Sequence, residues 1–127
     1  MPWKFDSEKG LVLISVDLFG PSGSSQTIMA LDTGATHTFI RIEVLEEIGY
    51  CPESSLDKVT VATGGGEVYA PVLKIDSFEA LGRKHRNFSV TAVSLPRSAS
   101  IDGVVGLDFL RGHLLTLDFQ EGLIHFE

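Results

Sequence analysis

Residues 28–40 of this chain read IMALDTGATHTFI, and this stretch determines how the rest of the sequence is interpreted. An apolar run ends at Leu31, and the ionisable Asp32 follows it directly. Gly34, two positions later, lets other atoms approach the backbone beside that carboxylate. A carboxylate at the mouth of a core strand is costly unless it has a purpose, so the pattern indicates a functional acid. An Asp that simply starts a turn after a strand explains these residues equally well, and at this point both interpretations stay open.

The composition predicts a single globular domain spanning residues 1–127. Hydrophobic residues make up 43% of the chain and charged residues 21%, which is close to the average for folded proteins. Lys and Arg number 10 against 17 Asp and Glu, and this net charge of −7 argues against a nucleic-acid partner. The one cysteine, Cys51, excludes an internal disulfide and a cysteine-based zinc cluster.

No stretch of the sequence has the length or the composition of a membrane segment. The longest candidate, residues 11–19, is interrupted by Ser15 and Asp17 and is too short to span a bilayer. The first residues lack the apolar stretch of a secretion signal. We therefore expect a cytoplasmic protein or a soluble domain of a longer tethered protein, with no membrane segment in this chain.

Short apolar runs separated by Gly and Pro predict a mostly β protein. One glycine-tipped hairpin is expected around residues 64–66, and the basic residues 83–86 are expected to form a solvated turn. The spacing of Ile42, Leu45 and Ile48 predicts one short amphipathic helix that ends at Gly49. The predicted strands cover residues 11–19, 26–31, 58–63, 67–75, 73–78, 87–94, 114–119 and 123–126, residues 95–102 are a predicted loop, and residues 103–112 are a strand end with one helical turn.

Three strings in this order resemble the retropepsin family of aspartic proteases. They are LDTGA at residues 31–35, the glycine-tipped hairpin about thirty residues later, and VVGLDFL at residues 104–110. The resemblance extends from about residue 11 over nearly the whole chain and is closer to cellular, bacterial and transposon members than to viral ones. A subtilisin-type Asp also occurs in an Asp-Thr-Gly string, but the His and Ser motifs of that family are missing here. The resemblance implies an all-β, closed barrel-like retropepsin fold with one or two short helices, which assembles as a homodimer.

The resemblance also implies a function and a set of site residues. Because the chain has a single Asp-Thr-Gly and aspartic proteases need two carboxylates, each subunit of the homodimer would contribute one Asp32. The expected activity is an aspartic endopeptidase that hydrolyses peptide or protein substrates by an activated water, with no metal and no cofactor. Asp32 is the implied catalytic acid, Thr33 and Gly34 support it, and the implied substrate-binding residues are Ala35, Thr36, His37, Gly64, Gly65, Gly66, Val105 and Leu107.

Two other classes of function compete with this interpretation. A non-catalytic peptide-binding or dimerisation module with the same fold is one alternative, although the intact Asp-Thr-Gly counts against it. A metal-dependent hydrolase is the other, but the four histidines lack ligand spacing. A phosphate-binding role for residues 64–66 is disfavoured, because the Lys and Ser/Thr of a P-loop and the following helix are missing.

Two further expectations concern contacts that only a structure can test. The spacing within the family places His37 and Asp108 near each other, and we predict that they pair at the edge of the cleft. Both side chains facing solvent separately is the equally open alternative. The resemblance also implies that the chain ends, including the apolar run of residues 114–126, help build a sheet between subunits, and exposed edges of this run would otherwise be a liability.

Overall fold

The computed structural model describes residues 2–63, 65–96 and 98–127, and most of them lie in strands. A 3-10 turn at Pro52–Ser54, which the sequence did not predict, precedes the strand that begins at Asp57. The elements are β1 (Trp3–Lys4), β2 (Leu13–Gly20), β3 (Gly23–Leu31), β4 (Phe39–Arg41), α1 (Ile42–Glu47), β5 (Asp57–Thr63), β6 (Gly66–Ala80), β7 (Arg83–Val93), β8 (Gly103–Val105), α2 (Leu107–Leu110), β9 (Leu115–Asp118) and β10 (Leu123–Phe126).

The larger sheet closes on itself into a barrel. Its strands follow the order β2-β3-β8-β4-β7-β6-β5, and β6 pairs back with β2. The circuit β2-β3-β8-β4-β7-β6 is therefore closed, while β5 lies outside it on β6. Two pairings, β3 with β8 and β4 with β7, are parallel. The prediction of an all-β, closed barrel-like fold with two short helices is confirmed.

The barrel interior is filled by side chains that alternate along the strands. In β2, Ile14, Val16 and Leu18 are buried whereas Ser15 between them is exposed, as expected for a strand with one face on the core. Helix α1 closes the barrel with Leu45, and Ile48 just beyond the helix is buried as well. The predicted helix and its apolar face are confirmed.

The first hairpin has a tighter turn than the sequence predicts. Strands β2 and β3 pair as far as Gly20 opposite Gly23, so Pro21 and Ser22 alone form the loop in place of the expected residues 20–25. Two-residue loops match the twist of paired strands, and the polar residues 24–25 therefore continue the ladder.

The basic residues 83–86 do not form a turn; the prediction was wrong. The turn lies one step earlier, at Leu81 and Gly82, whose positive φ values of 50° and 75° fit a two-residue hairpin loop. The basic residues begin β7, where Lys84 lies opposite Glu79 on β6. The Lys84 ammonium lies over the Phe19 ring, 4.9 Å from its centroid, and this cation–π contact helps the strand to accept a basic residue.

The chain ends form a second, three-stranded sheet in the order β1-β10-β9. The predicted terminal hairpin is confirmed, with Leu123 opposite Asp118 and Phe126 opposite Leu115. Leu123 and Ile124 of β10 pair with β1 on one side and β9 on the other, whereas His125 and Phe126 pair with β9. A role of residues 114–126 in a sheet between subunits stays a prediction. Ile124 and Phe126 are buried in the core, so deleting residues 123–127 would test folding and not assembly.

Within the described residues, no helix has both the length and the apolar character needed to cross a bilayer.

Candidate active site

Asp32 lies at the point where β3 leaves the barrel. Because β3 runs parallel to β8, with Leu31 opposite Val105, the two strands end side by side. The Asp32 backbone N–H donates to the Val105 carbonyl at 3.0 Å, and the Ala35 N–H donates to the Asp32 carbonyl at 3.2 Å. The exposed Asp32 side chain accepts a hydrogen bond at Oδ1 from the Gly34 N–H at 2.7 Å. The loop thus holds a solvent-facing carboxylate in a defined orientation.

The segment after β8 packs directly against this loop. The Leu107 N–H donates to the Ala35 carbonyl at 2.8 Å. A Cβ at position 106 would lie 2.7 Å from both the Ala35 and the His37 carbonyl oxygens, so only glycine fits there. The order Asp-Thr-Gly and, much later, Val-Val-Gly therefore reflects two backbone segments in contact.

Thr38 connects the two segments by its side chain. Its hydroxyl donates to Asp108 Oδ1 at 2.6 Å and its N–H donates to Asp108 Oδ2 at 2.9 Å. The same hydroxyl accepts the Gly106 N–H at 3.1 Å. Thr38 is fully buried, so these bonds satisfy a polar group that would otherwise be costly. Sequence reasoning missed this residue; a Thr directly before the apolar strand β4 was the only signal.

Asp108 does not form the predicted pair with His37. Its two carboxylate oxygens are both engaged by Thr38, and in the described part of the chain no ion pair within 4.0 Å joins Asp108 to His37. His37 is exposed, and the two residues line the same cavity of about 370 Å³. The Thr38 hydroxyl and N–H already donate to both carboxylate oxygens, so these oxygens are satisfied without the exposed His37 imidazole.

The other predicted site residues that the structure describes differ in their exposure to solvent. Thr33, Thr36 and His37 are exposed, and Ala35 and Leu107 are half-buried. Val105 is 0% exposed, so its side chain lies in the core and cannot contact a ligand; only its backbone carbonyl participates. Its neighbour Val104 lines the cleft instead, because successive side chains in a strand point to opposite faces.

The predicted glycine-tipped hairpin is present between β5 and β6. The pairing reaches Thr63 opposite Gly66, Gly65 lies in the turn, and Gly66 has a φ of 118° that favours glycine. Gly64 was also predicted to belong to the tip and lies outside the described residues. Val61 of β5 faces an apolar cleft of about 240 Å³ that it shares with Phe39, Leu95 and Val104. The hairpin therefore lines one side of this apolar cleft, and residues of β8 line another.

A second cleft, of about 410 Å³, opens beside Asp32 itself. Its lining includes Leu31, Asp32, Ile101 and Val104 and the residues before β2, among them Leu11. Leu11 is 50% exposed and Phe119, at the same cleft, is 57% exposed. The carboxylate thus lines a cleft that also holds solvent-exposed apolar side chains, and Val104 separates this cleft from the apolar one.

The pKa of His85, which lines the same cavity as His37 and Asp108, is shifted by its surroundings. Its ring lies 4.8 Å from that of Phe109 and 6.2 Å from that of His113, measured between centroids. Burial lowers the pKa of His85 below its ordinary value of 6.5, the charge of His113 lowers that pKa further, and Asp108 opposes both. His37 and Arg86 line the cavity that His85 shares with Asp108.

This lowered pKa predicts a pH-dependent stability. The unfolded chain binds the His85 proton more readily than the folded chain, so the free energy of unfolding should fall as the pH drops through 6.5. His85→Gln should reduce the difference between urea unfolding at about pH 7.5 and at about pH 5.5. The exposed His125 serves as the matched control, because His125→Gln should leave that difference unchanged. Equal pH dependence in wild type and His85→Gln would contradict the assignment.

The described residues contain no group of three or more His, Cys, Asp or Glu side chains arranged to hold a metal ion. The chemistry available at the site is that of a carboxylate held by a backbone hydrogen bond at the edge of a cleft.

A closed β-barrel with an Asp-Thr-Gly loop docked on a Val-Val-Gly strand end defines the class of acid-protease domains with the retropepsin-like fold. A sequence model described as aspartyl protease matches residues 15–109, and this chain belongs to the aspartyl protease family. The fold is similar to the crystal structure of a retropepsin-like aspartic protease from Rickettsia conorii, with a TM-score of 0.71 at 19% identity, covering 99% of this chain and 89% of the other. No curated protein sequence matches the chain.

Proposed function

We propose that this chain is one subunit of a homodimeric aspartic endopeptidase, in which Asp32 from each subunit contributes to a single active site. The observation that carries the proposal is the exposed Asp32 carboxylate, which is fixed by the Gly34 N–H and lines a cleft at the point where β3 meets β8. Family membership over residues 15–109 supports the same chemistry.

The proposed reaction needs two carboxylates within a few ångströms of each other. Two such groups cannot both ionise easily, so the pair keeps one proton. The ionised Asp32 removes a proton from a water, whose oxygen attacks the carbonyl carbon of the substrate. The protonated Asp32 donates its hydrogen bond to the carbonyl oxygen as that oxygen gains negative charge. When the tetrahedral intermediate collapses, the C–N bond breaks and a proton passes to the leaving nitrogen.

Thr33 and Gly34 support the acid in this proposal and do not transfer protons. The Gly34 N–H orients Asp32 through Oδ1, and a Cβ on residue 34 would lie 3.1 Å from that oxygen. The exposed Thr33 stands next to Asp32 on the face where a second subunit would approach.

The clefts define how a peptide would bind. Ala35, Thr36 and His37 follow Asp32 along the chain, and the hairpin between β5 and β6 would serve as a flap that closes over the peptide, with Val61 facing the apolar cleft. An extended peptide would lie between the two and place apolar side chains in the cleft lined by Phe39, Val61 and Val104. Leu107 would contribute on the opposite side.

Exposed apolar groups beside Asp32 support assembly of two chains on this face. Leu11 and Phe119 flank the Asp32 cleft, and water contact with such side chains is unfavourable. A second copy that brings its own Asp32 to this place would cover both.

Leu11→Lys tests this assembly surface. It should weaken self-association by about tenfold or more, because it places like charges at a symmetric contact and removes apolar area. Sedimentation velocity over a concentration series measures the effect, and cleavage should fall in parallel. Leu56→Lys is the matched control: Leu56 is 99% exposed and does not line the Asp32 cleft, so self-association should not change. Equal dimer affinity in wild type and Leu11→Lys would contradict this surface.

Digestion of a peptide library by wild type and by Asp32→Asn tests the proposed function. Cleavage by wild type should be inhibited by a statine-type peptide, should persist with a chelator, and should be lost in the variant. Cleavage that a chelator stops would favour a metal-dependent hydrolase. Peptides that bind without being cut, under all conditions, would favour a non-catalytic peptide-binding module.

A further inference from the structure

Arg41, the last residue of β4, makes the densest set of side-chain hydrogen bonds to backbone found in the described residues. Its side chain is only 14% exposed. One terminal nitrogen, Nη1, donates to carbonyls at one end of the loop between β7 and β8, and the other, Nη2, donates to carbonyls at the opposite end. The four acceptors are the carbonyls of Leu95 at 3.2 Å, Pro96 at 3.5 Å, Ala99 at 3.2 Å and Ile101 at 2.8 Å.

Asp102, at the end of the same loop, is hydrogen-bonded to β3 and β4 through its backbone and its carboxylate. The Arg41 N–H donates to the Asp102 carbonyl at 2.8 Å, and Arg41 Nε lies 4.0 Å from Asp102 Oδ1. Asp102 in turn donates its N–H to the Ile28 carbonyl at 2.8 Å and accepts the Ile28 N–H at Oδ2 at 3.0 Å. Ile28 lies on β3, the strand that ends at Asp32. The loop is therefore anchored to the strand that carries the acid and is shaped by one guanidinium.

We name the described residues of this loop, 95–96 and 98–102, the wall loop, because one of its residues lines the apolar cleft and another lines the Asp32 cleft. Leu95 lines the apolar cleft together with Val61 and Val104. Ile101 lines the other cleft together with Asp32 and Val104. A shift of the wall loop would move one wall of each cleft while leaving the Asp32 loop, which is held by β8 and Gly34, in place.

We propose that Arg41 is a positioning residue that fixes the wall loop and thereby sets which substrate side chains the apolar cleft accepts. The effect on substrate selectivity rests on the proposed protease function. The hydrogen bonds by which Arg41 holds the wall loop, which we call the clamp, do not. Arg41 makes no contact with Asp32 in any described hydrogen bond, so its role would be in selectivity and not in the chemical step.

The guanidinium suits this task because of its shape. Its nitrogens form a rigid planar fork, so one side chain bridges carbonyls at both ends of the wall loop. A lysine carries a single ammonium on a flexible stem and cannot reach both ends at once. With Lys at position 41, some of these carbonyls would have water as their only partner, and the wall loop would sample several arrangements.

Backbone amide exchange in Arg41→Lys tests the clamp without requiring activity. The Ala99 and Asp102 amides, which donate to Pro96 and Ile28, should exchange about tenfold faster than in wild type, while the amides of β6 and β7 keep their rates. Arg83→Lys is the matched control, since Arg83 is exposed at the start of β7 and should leave all these rates unchanged. Unchanged exchange at both amides in Arg41→Lys would overturn the proposal.

The selectivity arm uses two peptides that differ only by Leu or Ala at one position beside the cleaved bond. Arg41→Lys should change the ratio of their kcat/KM values by about fivefold, through KM, with kcat nearly constant. A parallel measurement of binding of the same peptides to the Asp32→Asn background should show the same change in ratio. Faster amide exchange with an unchanged peptide ratio in both measurements would overturn the role in selectivity.

The two arms separate this proposal from the proposed function. A wild-type protein that binds the peptides with Arg41-dependent selectivity but cuts none of them would contradict the endopeptidase and support the clamp. A protein that cuts both peptides with a ratio insensitive to Arg41 would support the endopeptidase and overturn the clamp's role.

Discussion

Asp32→Asn is expected to lower kcat/KM for a cleaved peptide by about 10³-fold, the contribution typical of positioned proton transfer. Both acids of the homodimer become amides, and an amide can neither remove a proton from water nor donate a carboxylic proton to the substrate carbonyl. Its Oδ1 can still accept the Gly34 N–H, so the loop should keep its conformation. The unfolding transition and the dimer should be as stable as in wild type or more so, because one source of like-charge repulsion is gone.

Steady-state kinetics on a single fluorogenic peptide measures this effect, and Asp57→Asn provides the control. Asp57 is an exposed carboxylate at the start of β5, so its variant should retain wild-type kcat/KM. Adding excess Asp32→Asn protein to wild type should also reduce the activity per wild-type chain, since mixed dimers contain a single acid. Retained turnover in purified Asp32→Asn, or mixing with no effect on activity, would refute the shared site.

Gly106→Ala is the substitution with the largest expected cost to stability. The new Cβ would lie 2.7 Å from two backbone carbonyl oxygens, those of Ala35 and His37, which cannot rotate away as a side chain would. We expect the free energy of unfolding to fall by about 3 kcal/mol, at the upper end of what overpacking costs. Activity should fall as well, because the displaced carbonyls belong to the loop that holds Asp32.

Urea denaturation followed by circular dichroism measures this cost. Gly10→Ala is the matched control, because a Cβ at residue 10 meets nothing within 4 Å and should change the free energy of unfolding little. A Gly106→Ala protein with wild-type stability would show that the two segments are not in the contact described.

The activity and stability of this protein should respond to acid in opposite directions. The proposed carboxylate pair works with one proton and favours mildly acidic conditions. His85 is more easily protonated in the unfolded chain, so the same acid lowers the free energy of unfolding.

The local features of this chain were readable from its sequence. The Ile42, Leu45, Ile48 spacing predicts the helix and its buried face, since both depend on residues within two turns of each other. The Asp-Thr-Gly string predicts a carboxylate at a strand end, and the terminal hairpin follows from two apolar runs around a short turn. Each of these depends on neighbours in sequence.

The arrangement of the site depended on contacts between distant residues. Val104 and Val105 are chemically identical in the sequence, so only the pairing of β8 with β3 and β4 decides that Val104 faces the cleft and Val105 the core. Thr38 donates to both carboxylate oxygens of Asp108, which lies 70 positions away. The local sequence pattern could not show that Thr38, and not the adjacent His37, is the partner of Asp108.

Arg41 is the clearest case of a residue whose contacts depend on the tertiary structure and not on its neighbours in sequence. In the sequence it is an isolated cation before a short helix, and its carbonyl partners lie 54 to 60 positions further along the chain. The sequence by itself determined which strands and which acid this protein has, because hydrophobic alternation and turn chemistry act over a few residues. Only the tertiary structure decided what surrounds the acid, because closing the barrel brings together backbone groups whose hydrogen bonds no local period encodes.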